Sequence, residues 1–121
     1  MTRILVVDDE PHILKLVSFT LAARGYEMLE AADGLSALEL AERKRPDLIL
    51  LDVMMPVLDG YETCRRLKAN EATAAIPIAM LSAKSQQAEQ RVGLDAGAIA
   101  YICKPFTPKD LAEQVRELLG Q

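Results

Sequence analysis

ILVVDDEP, residues 4–11, is the stretch that decides the fold. Its first four residues are apolar and mostly β-branched, and they predict a short buried strand. Two acidic residues, Asp8 and Asp9, follow directly. Residues 48–52, LILLD, repeat the arrangement. Strands without a polar face are typical of the interior of a parallel sheet, where both faces are covered. The two runs therefore predict parallel strands that bring Asp8, Asp9 and Asp52 to the same edge of one sheet.

Three carboxylates held this close repel one another, and the repulsion raises at least one pKa unless a cation joins them. Oxygen ligands suit Mg²⁺, which accepts carboxylates, carbonyls and water in octahedral geometry. The sequence contains no thiolate or imidazole cluster that would favour zinc. The cluster therefore predicts a Mg²⁺ site around one carboxylate that can act as a nucleophile. The alternative for Asp8 and Asp9 is a helix cap beside a solvated acid.

Apolar runs alternate with helical patterns along the whole chain. Strands are expected over 4–7, 26–31, 48–51, 76–81 and 99–102, with a helix after each. Five such βα units without a linker or repeat predict an α/β, doubly wound (βα)5 domain spanning residues 1–121, with right-handed crossovers and a parallel sheet. Ligands bind such sheets at the carboxyl ends of the strands. The polar residues expected just past those ends are Asp8, Asp9, Asp52, Ser82 and Lys104.

Bulk properties exclude several function classes. The formal net charge is -4 and no Lys/Arg cluster stands out, which argues against direct binding of nucleic acid by this chain. No apolar stretch has membrane-spanning length. The chain runs from Met1 directly into a strand, so no signal peptide is expected. Cys64 and Cys103 are interpreted as reduced, packed thiols. Reduced thiols, no membrane-spanning stretch and no signal peptide together favour a cytoplasmic protein.

Four segments together carry a family resemblance: ILVVDDEP, PDLILLDVMMPVLDG, IPIAMLSAK and YICKPF. With the spacing between them, the chain resembles a response-regulator receiver domain of bacterial two-component signalling. The resemblance implies a flavodoxin-like strand order of 2-1-3-4-5. It also implies a switch that accepts a phosphoryl group from a histidine kinase or a histidine phosphotransfer protein. The switch would control a downstream protein or a fused output domain through the surface of helix 4, strand 5 and helix 5.

The resemblance also implies roles for single residues. Asp52 matches the phosphoacceptor of the family. Asp8 and Asp9 match the acidic pair that holds Mg²⁺, with Asp9 the favoured direct ligand. Met54 matches the position whose backbone carbonyl completes the metal site. Lys104 matches the lysine that contacts the phosphoryl group.

Further matches concern switching and the lifetime of the signal. Ser82 matches the hydroxyl that bonds a phosphoryl oxygen, and Tyr101 matches the aromatic residue whose orientation follows the switch. Pro105 matches a proline preceded by a cis peptide bond with Lys104. Met54 and Lys84 occupy the positions that govern how water approaches the acyl phosphate. Such a protein catalyses its own phosphorylation and dephosphorylation, without acting on a separate metabolite.

Three other functions fit these residues less well. A phosphohydrolase of the haloacid dehalogenase type needs an acid two residues after its nucleophile, where this chain has Met54. A flavodoxin-like electron carrier needs a hydroxyl-rich loop after strand 1, where the acidic residues 8–10 would repel a flavin phosphate. A receiver that binds partners without phosphorylation would lack key residues that are present here. Ile99 and Ala100 stand where receivers of winged-helix regulators often have acids, which argues against dimerisation through that charged set.

Overall fold

A computed structural model describes residues 1–83 and 90–121 of the protein. Strands and helices alternate throughout, as the apolar pattern predicts. The strands are β1 (Arg3–Val7), β2 (Glu27–Ala31), β3 (Leu48–Asp52), β4 (Ile78–Ala83) and β5 (Ala100–Lys104). The helices are α1 (Pro11–Ala22), α2 (Gly34–Lys44), α3 (Gly60–Ala69), α4 (Gln90–Asp95) and α5 (Pro108–Leu118).

All strand pairs are parallel, and the strand order is β2-β1-β3-β4-β5. The expected doubly wound α/β fold and its strand order are therefore confirmed. Val7 pairs with Leu51 in the register between β1 and β3. The residues that follow this pair, Asp8 and Asp52, consequently lie side by side at the carboxyl edge of the sheet.

Helices cover both faces of the sheet and create two cores. One core joins alternate strand residues to α1 and α5, and the other joins the intervening residues to α2 and α3. The strand residues Leu48, Ile49, Leu50 and Leu51 are all fully buried. Burying a leucine or isoleucine side chain stabilises a fold by about 1.5–3 kcal/mol, so β3 anchors the centre of the molecule. Asp52 is the last residue of this strand.

The carboxyl ends of β4 and β5 differ from the sequence-based expectation. The strands continue past their apolar runs, because Ser82 pairs with Cys103 and Ala83 pairs with Lys104. Ser82 and Lys104 therefore belong to the strands, as does Asp52 at the end of β3, and the expectation that these three residues lie just past the strand ends was wrong. Side-chain polarity marks contact with solvent or with a site, whereas the backbone ladder can continue beneath polar side chains.

Helix boundaries near the carboxyl edge are set by side-chain caps. The carboxylates of Asp33 and Asp59 accept hydrogen bonds from backbone N–H groups in the first turns of α2 and α3. Such caps stabilise a helix start by about 1 kcal/mol. They fix where α2 and α3 begin relative to the sheet. Within the described residues, none of the helices has both the length and the apolar character needed to cross a membrane.

Candidate functional site

Three carboxylates meet at the carboxyl edge of the sheet, as the sequence predicts. One oxygen from each of Asp8, Asp9 and Asp52 lies within 4.8 Å of the others. Asp8 is fully buried and Asp52 is 4% exposed, whereas Asp9 is exposed. Asp52 ends β3, and the other two acids follow β1. The cluster therefore joins two buried carboxylates to one that faces solvent.

Lys104 joins the two buried carboxylates. Its Nζ lies 2.8 Å from Oδ2 of Asp8 and 3.2 Å from Oδ1 of Asp52. The lysine ends β5, two strands away from β3, and its side chain reaches across β4 to the acids. Hydrogen bonds between charged groups in a partly buried place are stronger than those between neutral groups. The ammonium group thus holds Asp8 and Asp52 together.

Burial is the main influence on the charge of Asp52. The pKa of Asp52 is raised from 3.8 to about 6, mainly because burial removes the carboxylate from water, and the negative charge of Asp8 acts in the same direction. The positive charge and hydrogen bond of Lys104 oppose this rise, as does a hydrogen bond from the backbone N–H of Met54. The pKa remains raised despite these contacts. The cost of burying the charged carboxylate therefore outweighs the stabilisation that Lys104 and Met54 provide.

The same contacts act in the opposite sense on Lys104. Burial lowers the pKa of Lys104, but the hydrogen bond to Asp8 and the charges of Asp52 and Asp8 outweigh burial, so that the net pKa is raised. Lys104 is therefore a cation at neutral pH. The other oxygen of Asp8, Oδ1, accepts a hydrogen bond from the backbone N–H of Glu10 at 2.9 Å. Both oxygens of Asp8 thus have protein donors.

Gly60, which sequence reasoning did not single out, lies against the backbone of Asp52. A Cβ atom at Gly60 would lie 2.2 Å from the carbonyl oxygen of Asp52, closer than real Cβ atoms approach. The N–H of Gly60 also donates to the carbonyl of Val53 at 3.0 Å. The first turn of α3 therefore packs directly behind Asp52, which requires glycine at this position. The sequence signal was the Asp59-Gly60 pair, which marks a helix start and does not by itself reveal the close approach.

Two residues assigned to switching lie on neighbouring strands. Ser82 is 3% exposed, and it comes one residue after Leu81, the partner of Asp52 in the sheet register. Its hydroxyl donates a long hydrogen bond, 3.4 Å, to the carbonyl of Ala83. Tyr101 is half-buried and packs against the core between the sheet, α2 and α3. The structure therefore places Ser82 near the acids and Tyr101 further back along β5.

Three further predictions concern Met54, the peptide bond before Pro105, and Lys84. The side chain of Met54 is exposed, at 63%, so only its backbone belongs to the acidic site. The peptide bond between Lys104 and Pro105 is cis, as the resemblance implies. Lys84 lies outside the described residues, and its assigned role stays a prediction.

The donor set fits a hard divalent cation. The oxygens of Asp8, Asp9 and Asp52 converge within the reach of one ion, and these three carboxylates are paired with a single lysine, Lys104. Hard oxygen ligands with some solvent access are what Mg²⁺ prefers. The exposed position of Asp9 leaves a route for the ion and its water ligands. Mg²⁺ therefore suits the residues that are present.

An apolar groove of about 360 Å³ opens beside the cluster. It runs between α1 and the segment that follows β5, and Lys104 lies at its margin. The lining residues are Ile13, Leu16, Ala83, Lys104, Pro105 and Phe106. The buried acids are thus flanked by a surface suited to apolar side chains of another molecule.

The fold and the site together define a class of protein. Its members are doubly wound domains with an acidic cluster and a lysine at the carboxyl edge of the sheet. The family model of the response regulator receiver domain matches residues 4–116. The chain therefore belongs to the receiver domain family of response regulators. Domains of this family act as phosphorylation-dependent switches in two-component signalling.

Two regulators illustrate the sequence relationship. The chain is 44% identical to the DNA-binding dual master transcriptional regulator RpaA of Synechocystis sp. over 98% of its own length and 49% of that protein. It is also 44% identical to the alkaline phosphatase synthesis transcriptional regulatory protein PhoP of Bacillus subtilis, over 97% of this chain and 48% of that protein. The chain thus spans about half the length of these two relatives.

Solved structures of other proteins share the fold of this chain. The chemotaxis response regulator CheY4 of Vibrio cholerae superposes with a TM-score of 0.92 at 36% identity, covering 98% of each chain. The receiver domain of a sensor histidine kinase of Pseudomonas aeruginosa superposes with a TM-score of 0.90 at 36% identity, covering 99% of this chain and 98% of that one. That structure has a magnesium ion coordinated in its active site cleft.

Proposed function

We propose that this chain is a single receiver domain, residues 1–121, that accepts a phosphoryl group on Asp52. The observation that carries the proposal is the contact of Lys104 with both Asp8 and Asp52 at the edge of the sheet. A carboxylate that attacks phosphorus must approach negatively charged oxygens, and a fixed cation beside it reduces that repulsion. Lys104 is suitably placed to act on a phosphoryl group bound at Asp52.

We further propose that Mg²⁺ is held by Asp8, Asp9, Asp52 and the backbone carbonyl of Met54. When bound, the ion would neutralise charge on the phosphoryl oxygens. The protein side chains supply the rest of the chemistry. The carboxylate of Asp52 is the nucleophile, and Lys104 stabilises the charge that develops on the transferred group.

The phosphodonor is a histidine kinase or a histidine phosphotransfer protein. A carboxylate oxygen of Asp52 forms a bond to phosphorus, while the bond between phosphorus and the donor's histidine nitrogen breaks and its electron pair returns to the imidazole. The groove between α1 and Phe106 lies beside the reacting atoms and presents apolar side chains to the donor. These features support delivery by a protein whose apolar surface docks there.

The output follows from the residues behind the phosphoacceptor. The hydroxyl of Ser82 donates to a phosphoryl oxygen on Asp52, which draws the end of β4 towards the site. Tyr101 responds to that movement, and the surface of α4, β5 and α5 changes. That surface then controls a downstream protein or a fused output domain. The two relatives above are transcriptional regulators, so a DNA-binding output domain is one candidate, while this acidic chain makes no nucleic-acid contact itself.

The test is phosphorylation by acetyl phosphate with Mg²⁺, followed by intact-mass measurement. The wild type should gain one phosphoryl group, and Asp52→Asn should gain none because an amide is not a nucleophile here. Asp47→Asn is the matched control, because Asp47 accepts a hydrogen bond from the N–H of Arg3 at the opposite end of the sheet. Equal labelling of all three proteins would reject Asp52 as the phosphoacceptor.

A further inference from the structure

Gly93 of α4 lies directly against the ring of Tyr101. A Cβ atom at Gly93 would lie 1.9 Å from the hydroxyl oxygen of Tyr101 and 2.7 Å from its Cζ. Real Cβ atoms do not approach other atoms this closely. The three atoms nearest to the absent Cβ all belong to Tyr101. The tyrosine hydroxyl therefore occupies the space where every other residue has a side chain.

The backbone of Gly93 does not require glycine. Gly25, Gly97 and Gly120 have positive φ angles, whereas Gly93 lies within α4 and does not. Inside a helix, glycine is less stable than alanine. The contact with Tyr101 thus gives a reason for glycine at a position where backbone stability favours alanine.

The surroundings of Gly93 prevent the two residues from separating freely. The carbonyl of Gly93 accepts hydrogen bonds from the N–H groups of Ala96 and Ala98, at 3.1 and 3.0 Å. The next N–H, that of Ile99, donates to the carbonyl of Ile78 in β4 at 2.8 Å. The end of α4 is therefore tied by backbone hydrogen bonds to the sheet that carries Tyr101. An added side chain at Gly93 would have to displace the ring.

We propose that Gly93 is a positioning residue for Tyr101. The missing side chain forms a notch in α4, defined by Gly93, that admits the tyrosine hydroxyl and fixes the inward orientation of the ring. Movement of the ring and movement of α4 are consequently coupled through direct contact. The consequence for signalling rests on the switch proposed above. Phosphorylation acts on α4 through the contact between the Tyr101 ring and this notch.

A double-mutant cycle tests the contact without phosphorylation. Gly93→Ala should lower the melting temperature of the wild type, because its Cβ overlaps the Tyr101 hydroxyl. In the Tyr101→Ala background the same substitution should raise the melting temperature, because alanine is the better helix former. The ring signals of Tyr101 in NMR spectra should also move in Gly93→Ala. The expected result is thus a change of sign between the two backgrounds.

Tyr26→Ala provides the matched control, because Tyr26 is another half-buried tyrosine and its hydroxyl bonds Gln121. Gly93→Ala should remain destabilising in that background. If Gly93→Ala fails to fold while Gly93→Ala/Tyr101→Ala folds, the inference is supported. It is overturned if Gly93→Ala is equally unfavourable with and without the Tyr101 ring, or if both variants fail to fold.

A second measurement tests whether the notch at Gly93 is coupled to the phosphorylation site. Binding of beryllofluoride in the presence of Mg²⁺ should be weaker in Gly93→Ala than in the wild type by about fivefold, a typical size for coupling between sites. Equal affinities would reject the coupling. If the wild type itself does not bind beryllofluoride, the proposed phosphorylation function fails, and the double-mutant cycle still decides whether Gly93 positions Tyr101.

Discussion

The ammonium group of Lys104 lies closer to Asp8 than to Asp52, at 2.8 Å against 3.2 Å. Its shorter ion pair is thus with an acid proposed as a metal ligand, and the longer one is with the proposed phosphoacceptor. Lys104 therefore supplies part of the positive charge that a metal ion would supply. The lysine and Mg²⁺ are expected to compete for the same two carboxylates.

Replacement of Lys104 should separate its effect on metal binding from its effect on phosphorylation. Lys104→Met should bind Mg²⁺ about tenfold more tightly, about 1.4 kcal/mol, because a nearby positive charge is removed. The metal-free variant should lose about 1–3 kcal/mol of stability, because Asp8 loses an ionic partner. Phosphorylation should nevertheless become slower. Calorimetric titration with Mg²⁺ checks the affinity, and Lys109→Met, on the exposed first turn of α5, should leave it unchanged.

The stability of the metal-free protein should depend on the ionisation of Asp52. The pKa of Asp52 is about 6 in the folded protein, against an ordinary value of 3.8 that applies to the unfolded chain. Between these pH values the native state therefore binds more protons than the unfolded state. Stability should therefore fall as the pH rises from about 4 to about 6, by at most about 3 kcal/mol from this residue. Asp52→Asn should lack this fall. Denaturant unfolding of both proteins at pH 4 and pH 7 is the measurement, and parallel pH profiles would contradict the assignment.

Mg²⁺ should stabilise the folded protein through the acidic cluster. Because it binds the native state, it should raise the melting temperature of the wild type. Asp9→Ala should lose most of that response and should have a higher melting temperature without metal, because one repulsive charge is gone. Asp95→Ala, at an exposed position of α4, serves as the control and should respond as the wild type does. Equal Mg²⁺ responses in Asp9→Ala and the wild type would remove Asp9 from the proposed ligands.

The hydroxyl of Ser82 should matter for the response rather than for phosphorylation. Ser82→Ala should still accept a phosphoryl group, because the hydroxyl is neither nucleophile nor metal ligand. The change around Tyr101 on phosphorylation should be reduced, because the bond that draws β4 towards the site is missing. NMR shifts of the Tyr101 ring before and after phosphorylation measure this. A full response in the variant would show that Ser82 and Tyr101 are not coupled.

The lifetime of the phosphorylated state should depend on Met54 and Lys84. Met54 is exposed and has no group that can orient a water molecule for attack on phosphorus. A flexible cation at residue 84 can cover the phosphoryl oxygens. Met54→Asn with Lys84→Glu should therefore shorten the lifetime without changing the site of modification. Decay after removal of the phosphodonor, at fixed Mg²⁺, tests this, and an unchanged or longer lifetime would reject shielding.

Much of the site could be predicted because it depends on strand register. The apolar runs before Asp8 and Asp52 are fully buried on adjacent strands, so the position of each acid follows from where its run ends. The ends of β4 and β5 were misjudged because Ser82 and Lys104 interrupt the apolar pattern while their backbones remain paired.

Contacts between distant segments could not be predicted in this way. Gly60 against the carbonyl of Asp52, and Gly93 against Tyr101, are close approaches that depend on how helices pack on the sheet. A glycine in the sequence is equally compatible with a turn, a helix end or such an approach. The preference of Lys104 for Asp8 likewise depends on side-chain reach across β4.

The ion pairs of Lys104 also determine the charge balance of the proposed reaction. With all three acids ionised, the cluster and the lysine carry two net negative charges, which one divalent cation would cancel. Conversion of the Asp52 carboxylate to an acyl phosphate, with a charge of about -2, would then leave a single net negative charge. The metal-bound site would thus stay within one charge of neutrality on both sides of the reaction. Phosphorylation would be sensed by the fold chiefly as new oxygen atoms in fixed positions, with only a small change in net electrostatic field.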